Sequence, residues 1–297
     1  MYRLLPMSIE LPFFSINGVI GATISPLDRG FAYGDGLFET CRFQTGAIPL
    51  WSLHRDRLVS SAERLKIRLD ESVLLGYLEP LLARLSATGI ATAVVKIQIT
   101  RGVGGRGYRV AGDMEPTYCI AIFPTEPLRG SHYLEGVDVR VCHQRLSANK
   151  VLAGMKHLNR LEQILARAEW QEDYAEGLLL DDSGSVIEAT VSNIFVVKDA
   201  QLFTPDLSSC GVAGVMRRMI IERLAPSLSL QAKITDMSLE FICEADELFL
   251  CNSVYGIWPV NRVIDERGVA AKETHFLSPR VSRQLQILLE QFFALTD

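Results

Sequence analysis

Leu152-Ala153-Gly154-Met155-Lys156-His157-Leu158-Asn159-Arg160 sets one lysine among apolar neighbours, directly ahead of a stretch with helical periodicity. From Asn159 to Tyr174, Leu161, Ile164, Leu165 and Ala168 recur at three- and four-residue intervals, which predicts a helix. A lysine amine is a useful nucleophile once its pKa is lowered, and desolvation lowers it. The competing reading of Lys156 is a solvated side chain at a helix start, the usual state of lysine. The rest of the chain has to decide between the two.

Downstream, Gly177–Leu180, the turn Asp181-Asp182-Ser183-Gly184 and Val186–Glu188 read as a hairpin. Glu188 ends its second strand and precedes Ala189-Thr190-Val191-Ser192-Asn193, so its carboxylate can project into a cleft or stand exposed. Further strands are read at Ile194–Val197, Leu202–Phe203 and Leu248–Leu250, and a helix from Val212 to Leu224 opened by Gly211 and Gly214. Such a glycine-bearing helix entry offers backbone N–H groups and a positive dipole end to a phosphate, although most such turns bind nothing. The chain closes with an amphipathic helix over Phe276 to Phe293.

Upstream, Phe13–Ile20 and Gly21–Ile24 read as strand and turn, with Asn17-Gly18 supplying hairpin chemistry. Residues 28–36 form a glycine-punctuated loop ahead of a strand from Leu37 to Phe43. Amphipathic helices are read at Leu53 to Leu65 and Val73 to Leu85, and strands at Ala93–Thr100 and Thr117–Phe123. Arg57, on the first of these helices, has the donor geometry for a bidentate phosphate contact, or is a solvated helix residue. The prolines, glycines and charges of residues 124–136 have linker composition. The reading is therefore α+β in two domains: residues 1–125, a linker at 126–136, and a larger C-terminal domain over 137–297 that carries Lys156.

With 297 residues, 48% hydrophobic and 22% charged, the chain is of globular composition and long enough for two domains. A net charge of −5 argues against a nucleic-acid footprint, so the arginines from Arg101 to Arg109 read as small-anion sites or a solvated loop. Cys41, Cys119, Cys142, Cys210, Cys243 and Cys251 form no CxxC pair, which favours a reduced set over disulfides or zinc, and no metal site is expected. Met1 to Phe14 makes a poor signal peptide, and no stretch has the roughly 18 apolar residues of a membrane helix. The expected compartment is the cytoplasm, with Met7 a second candidate start after Met1.

Taken singly, these signals do not exceed their bland alternatives, but their order along the chain does. Arg29-Gly30-Phe31-Ala32-Tyr33-Gly34-Asp35-Gly36-Leu37-Phe38-Glu39-Thr40, then Lys156-His157-Leu158-Asn159-Arg160-Leu161-Glu162, Val186-Ile187-Glu188-Ala189 through Asn193, and Gly214-Val215-Met216-Arg217 follow one another. This succession resembles the fold-type IV pyridoxal-phosphate enzymes: branched-chain aminotransferases, D-amino acid aminotransferases and aminodeoxychorismate lyases. The resemblance runs from about Phe14 to the last helix.

It implies that Lys156 holds pyridoxal 5′-phosphate covalently and shuttles protons, and that Glu188 keeps the pyridine nitrogen protonated so that the ring works as an electron sink. It further implies that Arg57, the N–H groups of Val215 and Met216 and the hydroxyl of Ser253 take the phosphate. Val212 would pack on the ring face, and Asn159 would lie near the phenolic oxygen. Homodimers with each active site near the subunit interface are also implied.

Thr100-Arg101-Gly102-Val103-Gly104-Gly105-Arg106-Gly107-Tyr108, the run Asn159 to Gln163, and Cys251-Asn252-Ser253-Val254-Tyr255-Gly256-Ile257-Trp258-Pro259-Val260 are similar to the lyase branch. That branch implies conversion of 4-amino-4-deoxychorismate to 4-aminobenzoate and pyruvate in folate biosynthesis. Arg101, Arg106 and Tyr108 are the candidates for binding substrate, and Thr40 for a catalytic group lining the same cleft. The rivals are a D-amino acid or branched-chain aminotransferase, and a catalytically silent cofactor-binding protein. The silent protein would be expected to lack the lysine or its acidic partner, and Lys156 and Glu188 are both present.

Overall fold

Asn17 and Gly18 both take positive φ, 48° and 78°, the geometry that matches the twist of paired strands. They join β1 (Phe13–Ile16) to β2 (Val19–Ile20). The computed structural model describes residues 11–112, 114–125, 128–268 and 272–295, so Met1 and Met7 lie outside the described residues. These residues group into two compact units, the first holding residues 11–125 with Lys156–Asn159 and the second holding 128–155 with 160–295.

The first unit carries an antiparallel sheet of order β2-β1-β5-β4-β3, with β3 at Gly36–Gln44, β4 at Thr92–Thr100 and β5 at Thr117–Pro124. Alternation is clean in β4, where Ala93, Val95, Ile97 and Ile99 are fully buried on one face. α2 (Trp51–Leu65) packs on β3. α3 (Glu71–Ala87) starts at Asp70, whose carboxylate accepts from the N–H groups of Ser72 and Val73, and it buries Leu74, Leu78, Leu81 and Leu85 along one stripe. The loop expected over residues 28–36 contains a short helix, α1 (Arg29–Tyr33), capped by Asp28 and ended by Gly34 at φ 67°.

The second unit is built on a mixed sheet of order β11-β10-β9-β12-β13-β6-β7-β8, with β14 pairing β13. The strands are β6 (Val137–Leu146), β7 (Glu176–Asp181), β8 (Val186–Ala189), β9 (Asn193–Lys198), β10 (Gln201–Pro205), β11 (Ala232–Thr235), β12 (Glu247–Asn252), β13 (Gly256–Asp265) and β14 (Lys272–His275). Val139, Val141, Leu178, Val186, Ile194, Val196, Leu248 and Leu250 form its main core with Met237, Ile242 and Phe276. The final helix, α8 (Arg280–Leu295), begins later than the periodicity suggests. Phe276 is drawn into the core, and the buried Glu247 carboxylate accepts from the N–H groups of Arg280, Val281 and Ser282 at 2.8, 2.7 and 3.1 Å.

Three readings change. The expected linker holds a helix, α4 (Ser131–Glu135), between Gly130 and Gly136, with Tyr133 buried; residues 126 and 127 of that linker lie outside the described residues. The helix expected over 159–174 is the short α5 (Leu161–Arg167). It stops because Trp170 turns into the core, its Nε1 donating to Tyr174 O at 2.8 Å. Its apolar stripe faces outward, with Leu161, Ile164 and Leu165 all exposed. Lys156, expected in the C-terminal domain, groups with the first unit because Phe38 N–H donates to Lys156 O at 2.9 Å and Leu158 N–H to Gly36 O at 3.0 Å.

Candidate active site

The lysine segment is held through its main chain. Leu37 and His157 form an antiparallel bridge, so residues 156–158 run as a short ribbon along the start of β3. Gly36 permits this approach, since a Cβ there would lie 2.5 Å from Ile99 O and 2.8 Å from Leu158 Cδ1. Lys156 is half-buried, with Nζ 4.5 Å from the centroid of the Phe38 ring, close enough for a cation–π contact. Thr40 lies two residues along β3 from Phe38 and so shares that face. Asn159 is exposed and tied down, its Nδ2 donating to Gly34 O at 3.0 Å.

On the adjoining helix, Arg57 is fixed by an acid inside β3. Glu39 accepts from Arg57 Nε at 2.8 Å and Nη2 at 2.5 Å, and from His54 Nδ1 at 2.6 Å. Burial would raise the Glu39 carboxyl, but Arg57 and His54 outweigh it and bring it down to about 2. Burial likewise pushes His54 below its ordinary value, over the pull of Glu39. Lys156 and Arg57 both act on His54 and on the buried Cys41 thiol, so the two cations bear on one small region of the unit. Glu39 and His54 escaped the sequence reading. The available signal was an acid in an apolar strand and a histidine and arginine one helical turn apart.

In the second unit, Glu188 is 4% exposed and its Oε2 accepts from Val212 N–H at 2.7 Å. Val212 is also held by its carbonyl, which accepts from Asn193 Nδ2 at 2.8 Å, and by a bridge to Gly154. Gly211, at φ +81°, brings this turn to Glu188; a Cβ there would meet Ile187 Cγ2 at 2.8 Å and Glu188 Oε2 at 3.3 Å. The helix expected from Val212 begins at α6 (Val215–Met219), after the cap Gly214, and continues through a π turn, Ile220–Leu224, into α7 (Ala225–Ser227). Val215 and Met216 thus occupy its first turn, where N–H groups have no partner inside the helix. The neighbouring loop is folded around the buried Glu176, which takes Thr190 N–H at 3.0 Å, Val191 N–H at 3.1 Å and Ser192 Oγ at 2.6 Å. Ser253 follows Asn252, whose Oδ1 accepts from Val254 and Tyr255 N–H in a tight turn.

The substrate candidates separate. Arg101 is buried and engaged: Nε and Nη2 meet Asp35 at 2.8 and 3.0 Å, while Nη1 and Nη2 donate to Lys66 O and Leu65 O at 2.8 Å each. Two arginines, Arg29 and Arg101, hold the Asp35 carboxyl below its usual range against the effect of burial. Arg101 therefore clamps the loop base, with Nε, Nη1 and Nη2 all donating within the protein. Arg106 and Tyr108 stand on the exposed part of the same loop, with Tyr108 beside Tyr33 at 5.6 Å between ring centroids. In total the described residues offer an amine, an arginine paired to a buried acid, a glycine-capped helix entry and a second buried acid. Among them no cluster of three His, Cys, Asp or Glu could hold a metal.

These features have a counterpart in known proteins. The chain belongs to the family described as amino-transferase class IV, which matches residues 36–263. It is 37% identical over 282 residues to an aminodeoxychorismate lyase of Vibrio harveyi, spanning 92% of this chain and 98% of that one. A solved 4-amino-4-deoxychorismate lyase from Pseudomonas aeruginosa is similar with a TM-score of 0.85 and 40% identity, over 94% of this chain and 98% of the other. A putative branched-chain-amino-acid aminotransferase of Methanocaldococcus jannaschii is 34% identical over 84% of this chain and 86% of its own.

Proposed function

We propose that this chain is a pyridoxal-phosphate-dependent lyase that converts 4-amino-4-deoxychorismate to 4-aminobenzoate and pyruvate, a step of folate biosynthesis. The observation that carries the reading is that relatives found by sequence and by structure bear the same lyase name over almost the full length of both chains. The sequence runs set out above for the lyase branch point the same way.

The residues suit the cofactor. The backbone cradle at Val212, the buried acid behind it and the amine over Phe38 supply the donor and acceptor types that an aldehyde-bearing pyridine phosphate requires. When bound, pyridoxal phosphate supplies an electron sink for charge developed at the amine-bearing carbon. Lys156 would hold it through Nζ and would be the base that takes the proton from that carbon. Glu188 keeps a proton on the pyridine nitrogen. Val212, fixed at both its N–H and its C=O, would be the residue that packs on one ring face. Arg57, the N–H groups of Val215 and Met216 and the Ser253 hydroxyl take the phosphate.

Asn159 steadies the lysine segment through Gly34. Arg106 and Tyr108 remain the proposed contacts for the substrate carboxylates, with Thr40 lining the cleft beside Lys156. Proton loss at the amine-bearing carbon is followed by breakage of the C–O bond on the adjacent ring carbon, and the departing enolpyruvate takes up a proton to become pyruvate. The two products contain every atom of the substrate, and aromatisation drives the step. No amino acceptor is consumed.

A cytoplasmic homodimer completes the proposal. The exposed apolar stripe of α5 supports a subunit interface, and six unpaired thiols suit a reducing compartment. Among the described residues no helix is long and apolar enough to cross a membrane.

The competing activity is transamination of a D-amino acid or a branched-chain amino acid, which the aminotransferase relative keeps in view. Incubation with D-alanine or a branched-chain amino acid and 2-oxoglutarate is expected to form little glutamate beside the 4-aminobenzoate formed from aminodeoxychorismate. Glutamate as the main product would place the chain with the aminotransferases.

A further inference from the structure

The proposed chemistry gives Glu39 no task, yet it is the acid of β3 and its side chain is 1% exposed. Strand alternation sets Glu39 between Leu37 and Cys41 on a buried face, where a charge persists only if it is paired. Its partners come from one turn of α2. His54 and Arg57 are three residues apart, so both reach the same carboxylate.

The contact to Arg57 is two-pronged, Nε to Oε1 and Nη2 to Oε2, which fixes the plane of the guanidinium as well as its position. The contact from His54 occupies Oε2 from a second direction and removes the remaining freedom of the carboxylate. A lone arginine at a helix surface samples many rotamers; this one is held in a single orientation before any ligand arrives. Glu39 offsets part of Arg57's attraction for an anion, so its contribution is geometry and not charge.

We propose that Glu39, braced by His54, is a positioning residue that aims the Arg57 guanidinium at the phosphate of the bound cofactor. The inference rests on the assignment of Arg57 to that phosphate, and the experiment separates the two. Full-length protein stripped of cofactor is titrated with pyridoxal 5′-phosphate and, separately, with pyridoxal, which lacks the phosphate. The quantity read is the ratio of the two dissociation constants.

Glu39→Gln is expected to reduce the preference for the phosphorylated form by about tenfold, in line with the loss of a charge-assisted bidentate pair, while affinity for pyridoxal changes by less than about twofold. An equal fall in both affinities would show a merely structural role and overturn the inference, as would an unchanged preference. Should Glu39→Gln fail to fold, Glu39→Asp keeps the charge but withdraws it by one methylene. It is expected to lower the preference about threefold, and an unchanged preference there also overturns the inference. Arg57→Ala is the control for the reading underneath: its preference should collapse, and a retained preference would remove Arg57 from the phosphate and the role of Glu39 with it.

Discussion

Replacing Lys156 by alanine is expected to lower turnover by about four orders of magnitude, the upper end of what one positioned proton-transfer group supplies, because the same amine also tethers the cofactor. The fold should survive. The segment is joined to β3 by main-chain bonds, Phe38 N–H to Lys156 O and Leu158 N–H to Gly36 O, which alanine retains. The side chain contributes its contact with Phe38, whose loss is small beside the stability of a two-unit chain. Borohydride reduction should leave cofactor mass on the native chain and none on the variant, with unchanged thermal unfolding. A variant that turned over at the native rate would remove Lys156 from the mechanism.

Glu188→Ala carries the second large effect, a fall in rate of about two to three orders of magnitude, equivalent to about 3–4 kcal/mol for a buried charge left without its partner. The structure adds a control that the residue type alone does not suggest. Glu188 also receives the Val212 N–H at 2.7 Å, so alanine would loosen the ring seat as well as remove the charge. Glu188→Gln retains an oxygen for Val212 and loses only the charge. A role at the pyridine nitrogen predicts that glutamine loses most of what alanine loses, with the remainder due to the Val212 contact. A glutamine variant with native rate would assign Glu188 to holding Val212 alone.

Much of this arrangement was legible from local pattern. Asn17-Gly18 dictated its turn, the β-branched run over Ala93–Thr100 marked β4, and the ordered motifs around Lys156, Glu188 and Gly214 pointed to one family. Where tertiary contacts decide, the pattern misled. Leu161, Ile164 and Leu165 have helical spacing but stand exposed, and the helix that carries them ends early because Trp170 is captured by the core. β13 escaped notice because Pro259 lies within it, a residue that ordinarily argues against a central strand. That Asp35, 66 residues away, pairs with the Arg101 guanidinium could not be read from the sequence. Glu39 was hidden for the same reason, since its partners His54 and Arg57 lie on another element.

In the proposed reaction Lys156, Glu188 and bound pyridoxal phosphate eliminate pyruvate from a single substrate, with no amino acceptor. Supplying purified protein and pyridoxal phosphate with 4-amino-4-deoxychorismate, and following both products together, tests it most directly. 4-Aminobenzoate and pyruvate are expected in equal amounts, with no requirement for an oxo acid. Failure to form 4-aminobenzoate, or its formation without an equivalent of pyruvate, would contradict it.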